Sequence, residues 1–297
     1  MSVAERRAGA WHATAPSPVG VPQQLLARLL ARGAPVALGL DLPLGIPRAF
    51  AATRTEPDFP SFLAALAASP GFFQVNAALE SLSPTRPFYP ARGERGMTRL
   101  AHAQALGFTH ATELSRWCDR ATASRPAGAP LFWTLGANQT GKAAISAWQP
   151  WLAPALAAGE PLRLWPFHGR LHALLAPGVA TLAEVYPAEA LRHCGIRLTG
   201  SKRNQAVRQV ATPALRAAMA ARSLRPDPAL EAMLHTGFGA DAQGEDRFDS
   251  LIGLLGLIGV LDGLRPDTIP AAPEITRWEG WVLGQSDLPT GLSALPG

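Results

Sequence analysis

The sequence predicts an α/β fold: short apolar strands in a sheet flanked by helices, with a helical insertion in its first half. Three observations predict it. Short apolar runs end in Pro/Gly-rich turns, as in Val36-Ala-Leu-Gly-Leu40 before Asp41-Leu-Pro-Leu-Gly-Ile-Pro47, which is the length and punctuation of a buried strand. Stretches with apolar residues at helical spacing alternate with these runs, as at Leu25, Leu26, Leu29 and Leu30. No internal repeat, heptad array or long linker divides the 297 residues, so a single domain over 1–297 is the economical organisation.

In chain order, residues 9–16 suggest a short strand, and a helix follows from Pro22 to Arg32, closed by Gly33. The strand ending at Asp41 then completes a β-α-β start, because Pro43 and Pro47 cannot donate to a ladder and Gly45 relaxes the backbone. Residues 57–125 carry helical pieces (Ser61–Ala68, Met97–Leu106, Ala111–Arg120) between Pro/Gly-rich loops, which marks the insertion. Strands are predicted at Leu131–Leu135, Leu162–Phe167 and Val179–Tyr186, with an Ala- and Trp-rich helix between the first two. Helices over Gln205–Ala221 and Asp246–Leu264 and a compact aromatic tail, Arg277–Gly284, complete the series.

Composition sets the broad class. A hydrophobic fraction of 47% places the chain among globular proteins, and the charged fraction of 16% lies below the roughly 25% of typical domains. The net charge of +5 suits an anionic partner without requiring one. Lysine occurs only at 142 and 202, so the cationic groups are almost all arginine, the better phosphate fork. Cys118 and Cys194 are far apart and lack metal-ligand spacing, which points to free thiols in a reducing cytoplasm. No signal peptide is evident, and the apolar run Leu251–Leu261 is about half of the roughly 20 residues a membrane span needs. The expectation is a soluble cytoplasmic protein with no membrane partner.

Four acids stand out. Asp41 and Glu184 end or nearly end strands, where open α/β sheets place their ligands. A buried carboxylate needs a metal, a base or a hydrogen-bond cradle, and Asp41 also suits a plain turn cap. Asp246 and Asp249 are three apart, on one side of a helix's first turn, where the macrodipole favours negative charge. Brought together, such acids can hold one or two Mg²⁺ ions against a phosphodiester.

Three further segments could bind phosphate. Gly136-Ala-Asn-Gln-Thr-Gly-Lys142 fits a phosphate loop except that Ala143 replaces the Mg²⁺-ligating hydroxyl, and no Walker B strand follows, so a glycine-punctuated turn explains it better. Lys202, Arg203 and Arg208 cluster behind Ser201, as phosphate contacts or as a solvated helix start. The loop Arg86–Arg95 mixes aromatics and arginines, as single-strand binders do, and equally suits a rigid surface loop.

Gly39-Leu-Asp41-Leu-Pro-Leu-Gly-Ile-Pro47, Glu184-Val-Tyr-Pro187, Ser201-Lys202 and Asp246-x-x-Asp249 together resemble the family named domain of unknown function 429, grouped with predicted RNase H-like nucleases. Leu131–Lys142, Leu164–Phe167 and Glu279–Gly284 extend the resemblance over most of the chain. It implies an RNase H-like fold, a mixed five-stranded sheet flanked by helices. It also implies Asp41, Asp246 and Asp249 as ligands of Mg²⁺ or Mn²⁺, and Glu184 as a ligand or water positioner. Lys202 and Arg203 would then hold the phosphate backbone of DNA or RNA.

One departure bears on activity. Family members open with a strand bearing an acid, whereas Met1–Pro16 resembles the strand after it, and no apolar strand with an Asp precedes Asp41, so either the sequence starts late or this member lacks that ligand. Two functions follow as expectations. One is a Mg²⁺-dependent nuclease, a hydrolase of phosphodiesters. The other is a non-catalytic nucleic-acid or nucleotide binding module that has lost its first metal ligand.

Overall fold

The structure is a computed structural model and describes residues 1–93, 97–136 and 139–292. Among these residues lie six strands: β1 (Val3–Arg7), β2 (Ala10–Thr14), β3 (Val36–Leu40), β4 (Leu162–Leu164), β5 (Ala180–Glu184) and β6 (Leu224–Pro226). The chain is α/β, with one mixed and one parallel sheet, each accompanied by helices. In place of the five-stranded sheet that the resemblance implies, the strands form two three-stranded sheets, β1-β2-β6 and β3-β5-β4. β2 and β3 fall in different sheets, so the predicted β-α-β start does not form. The chain divides into two compact units.

The first unit comprises Met1–Gly20 and Val185–Asp267. β1 and β2 pair antiparallel from Val3↔Thr14 to Arg7↔Ala10, and β6 runs parallel to β2. The hairpin turns on Ala8 and Gly9, both with positive φ (47° and 81°), as a two-residue turn matched to strand twist requires. β1 was not predicted because Glu5, Arg6 and Arg7 hide any apolar pattern, and β6 is short and ends at Pro226.

The helix Gly244–Leu261 is the spine of this unit, burying Phe248, Leu251, Ile252, Leu255 and Ile258. It packs on the helix Pro187–His193, where a Cβ at Gly256 would lie 2.8 Å from that of Ala190. Gly263, with φ of 72°, ends it in the left-handed conformation that favours glycine. The helix predicted over Gln205–Ala221 is two helices, Gln205–Val210 and Thr212–Ala220. Pro213, which has no N–H to give, sits in the first turn of the second.

The second unit comprises residues 21–184 together with those from Thr268 onward. β5 lies between β3 and β4, parallel to both and buried along its length, and Leu40 pairs with Glu184 at the carboxyl end. Pro22–Leu30 is helical as predicted. In the insertion, Phe59–Ala65 and Arg99–Ala105 are helices capped by Asp58 and Thr98. Ala111–Arg120 is not one helix but two 3₁₀ turns, Ala111–Leu114 and Trp117–Asp119. The carboxylates of Glu113 and Asp119 accept from the N–H groups of His110 (2.7 Å) and Arg116 (3.3 Å), local caps that compete with a continuous helix.

Leu131–Leu135 is no strand: Trp133 donates back to the Pro130 carbonyl in a turn and joins Tyr89 only by an isolated bridge. Leu131, Phe132 and Thr134 are fully buried, and an apolar run of that length signals burial without distinguishing strand from turn. Phe132 packs among Phe50, Phe72 and Phe88 in an aromatic core. No helix among the described residues is long and apolar enough to cross a membrane.

Candidate functional site

Glu184 ends β5, and its carboxylate meets an arginine. Arg116 donates from Nη1 and Nη2 to the two Glu184 oxygens at 2.6 and 2.7 Å. Its Nε and Nη2 donate to the two oxygens of Asp119 at 2.9 Å each, and Nη1 reaches the Glu279 carbonyl at 3.3 Å. Arg116, Asp119 and Glu184 are all fully buried. The Leu44 N–H, in the turn after β3, adds a 2.8 Å bond to Glu184 Oε2. Burial opposes the Arg116 charge, but Asp119 and Glu184 outweigh it and hold its pKa well above the ordinary value. Burial pushes Glu184 up, with the Arg116 guanidinium pulling against it.

Glu279 does related work beside this pair. It is fully buried, and its two oxygens accept from the N–H groups of Arg48 (2.8 Å) and Trp117 (2.7 Å). Burial raises its pKa against those bonds. Segments 44–45 and 279–280 cross so closely that a Cβ on Gly45 would lie 2.0 Å from the Glu279 carbonyl oxygen. A Cβ on Gly280 would likewise lie 2.0 Å from that of Leu44. Both glycines have positive φ, 141° and 66°, so conformation and space each require the missing side chain.

Ligand atoms of Cys118, Asp119 and Glu184 lie within 4.8 Å of one another, a separation at which a metal ion could be held. The donor set fits such an ion poorly. Both oxygens of each carboxylate already accept from Arg116, and a divalent cation would have to displace the guanidinium or sit against its charge. Burial also raises the Cys118 pKa well above its ordinary value, away from the thiolate that metals bind. Arg116 therefore serves as the counter-ion of this cluster.

The sequence-predicted residues fall into separate groups. Asp41 follows β3 at the surface of the second unit, one residue beyond the Leu40–Glu184 pair. Asp246 and Asp249 lie in the first unit, on the opening turns of the Gly244–Leu261 helix, with Asp246 exposed. Lys202 Nζ is bonded to Asp249 Oδ2 and lies 3.6 Å from Glu245. Arg203 Nε is 3.5 Å from Glu245. Both basic residues thus face these acids. Burial raises the Asp249 pKa, Lys202 draws it back, and Glu245 and Asp246 push it up. Its Oδ1 is buried with no hydrogen-bond partner among the described residues. Arg208 is buried and donates to the carbonyls of Gly237, Gly239 and Lys202, so it ties loops together.

Two other segments have structural roles. Ala137 and Asn138 of the phosphate-loop-like stretch lie outside the described residues. Gly141 seats the following helix: a Cβ there would lie 2.8 Å from the Trp133 carbonyl oxygen. In the loop from Arg86, Phe88 and Tyr89 are core residues and offer no stacking platform, while Glu94 and Arg95 lie outside the described residues.

Sequence reasoning missed Arg116, Asp119 and the Glu279 carboxylate. Their signal was Arg116 and Asp119 enclosing Trp117-Cys118, since charged residues in an apolar setting require a partner. The partner comes from residue 184, which only the fold brings near. No protein-family model matches the chain, and no curated protein or solved structure matches it either.

Proposed function

We propose that the chain is a non-catalytic module that binds nucleic acid or a nucleotide through its phosphates, on a fold of RNase H-like type. The observation that carries this reading is the Arg116 guanidinium bonded to all four oxygens of Asp119 and Glu184. An acid so neutralised is a poor metal ligand and a poor base, and the pair costs several kcal/mol to break once buried. The net charge of +5, almost all from arginine, suits a polyanionic partner. Binding of a labelled single-stranded oligonucleotide that weakens steeply with salt, without turnover in Mg²⁺ or Mn²⁺, is the expected result. No binding at low salt to DNA or RNA, single- or double-stranded, overturns it.

One observation favours a second reading, a Mg²⁺- or Mn²⁺-dependent nuclease. The orphaned Oδ1 of Asp249, with Asp246 one turn before it, is an oxygen donor with capacity to spare. A metal held there would polarise a phosphoryl oxygen. Lys202 would hold Asp249 in place, and Asp41 would belong to the same chemistry only through the resemblance. Cleavage that requires Mn²⁺ and is lost in Asp249→Asn would favour this reading over the first.

A further inference from the structure

Trp117 carries two arginines. Arg120 Cζ lies 3.9 Å and Arg48 Cζ 5.1 Å from the centre of its ring, both within cation–π range. Among the described residues, each guanidinium keeps donors to spare. Arg120 has one long bond, 3.5 Å to the Thr112 carbonyl, and its Nε has no partner among the described residues. Arg48 forms an ion pair with Glu274 at 3.6 Å, beyond hydrogen-bond length, and its side chain is 54% exposed.

The placement is built from below. The carboxylate of Glu279 fixes the N–H groups of Arg48 and Trp117, one oxygen to each. Arg116, next to Trp117, grips Glu184 at the end of β5, and Arg48 follows the turn after β3. The arginines therefore lie beyond the carboxyl ends of a parallel sheet, where such sheets receive ligands. Two like charges held on one ring repel. Burial lowers the Arg120 pKa, Glu279 raises it, and the Arg48 charge lowers it again. An oxyanion accepting from both forks relieves that repulsion, and Glu274, bonded to the Trp117 indole at 3.4 Å, is the nearby acid that limits its charge.

We propose that Arg48 and Arg120, held over Trp117, form a binding site for a phosphate group of a nucleic acid. This rests on the phosphate-binding reading above and names its contact residues. Nothing in the sequence marked these two arginines, which are 72 positions apart in number but share one indole ring in space.

Two measurements test it. The first is fluorescence anisotropy of a labelled oligothymidylate with the full chain, Arg48→Gln/Arg120→Gln, and Arg225→Gln, an exposed arginine of the other unit. The double variant should bind at least tenfold more weakly and with a salt slope reduced by about 0.7, as loss of one phosphate contact on a single strand requires, while Arg225→Gln stays within about twofold of the parent. The second is an NMR titration with inorganic phosphate, following the Arg120 Nε–H signal identified by its loss in Arg120→Gln. That signal should move on titration. If the parent binds oligonucleotide and the double variant binds equally well, the site is overturned and the binding function stands. If no oligonucleotide binds but phosphate moves the Arg120 signal, the oxyanion site stands and the nucleic-acid assignment falls. An unmoved signal with unchanged oligonucleotide affinity overturns the site.

Discussion

Arg116 clasps Glu184 with both terminal nitrogens, at 2.6 and 2.7 Å, in a setting from which water is excluded on both sides. Breaking such a pair strands a buried charge, a loss of about 3–5 kcal/mol. Arg116→Met should therefore lower stability by that order in urea denaturation. Arg116→Lys should recover little, because one ammonium cannot reproduce a planar fork that serves two carboxylates. A stability change within about 1 kcal/mol for Arg116→Met would show that the cluster is not the pin described.

Gly45 and Gly280 make the second prediction. Gly45→Ala places a Cβ 2.0 Å from a backbone oxygen, at a φ of 141° that alanine disfavours. The neighbour is backbone, so it cannot swing aside, and the crossing of 44–45 over 279–280 must open. A loss of about 2 kcal/mol or more is expected in thermal or urea unfolding. Gly33→Ala, with positive φ but open space around it, isolates the conformational part and should cost less.

His102 makes the fold acid-sensitive. It is fully buried, Nε2 donates to the Pro87 carbonyl at 2.8 Å, and burial lowers its pKa to about 4, with that bond opposing. The unfolded chain binds a proton near pH 6.5 that the folded chain refuses until about pH 4, so stability is present above pH 6.5 and lost as pH falls through that window. The loss is up to about 3 kcal/mol. His102→Gln should flatten the stability profile between pH 6.5 and 4; an equally steep profile would place the sensitivity elsewhere.

Lys202 holds the Asp249 pKa down against burial. Lys202→Met should therefore move the Asp249 carboxyl titration, followed by ¹³C NMR, to higher pH. The stability loss should stay near 1 kcal/mol or below, since Lys202 is about a third exposed and solvent screens the pair. A titration that stays in place would mean the lysine does not face Asp249 in solution.

Local signals in the sequence were sound where one residue sets one feature. The Leu25–Leu30 periodicity and the apolar run after Asp249 each placed a helix within a few residues. β5 was legible because apolar residues fill a buried strand, and β3, which carries a similar apolar run, is half-buried. β1 was not, since Glu5-Arg6-Arg7 forms an edge strand with no apolar alternation. The burial of residues 131–135 imitated a strand, which periodicity cannot separate from a buried turn. At the site, Glu184 was legible as a strand-end acid, but its partner was not. Arg116 lies 68 positions away on a 3₁₀ turn, and only tertiary packing closes that distance.

The most direct measurement incubates the purified chain with end-labelled DNA and RNA, single- and double-stranded, in Mn²⁺ and in chelator, and scores binding and cleavage on the same samples. The expected result is salt-dependent binding that is the same with and without metal, and intact substrate throughout. Cleavage that requires the metal, survives purification and disappears in Asp249→Asn would contradict a non-catalytic module whose strand-end acid Glu184 is neutralised by Arg116.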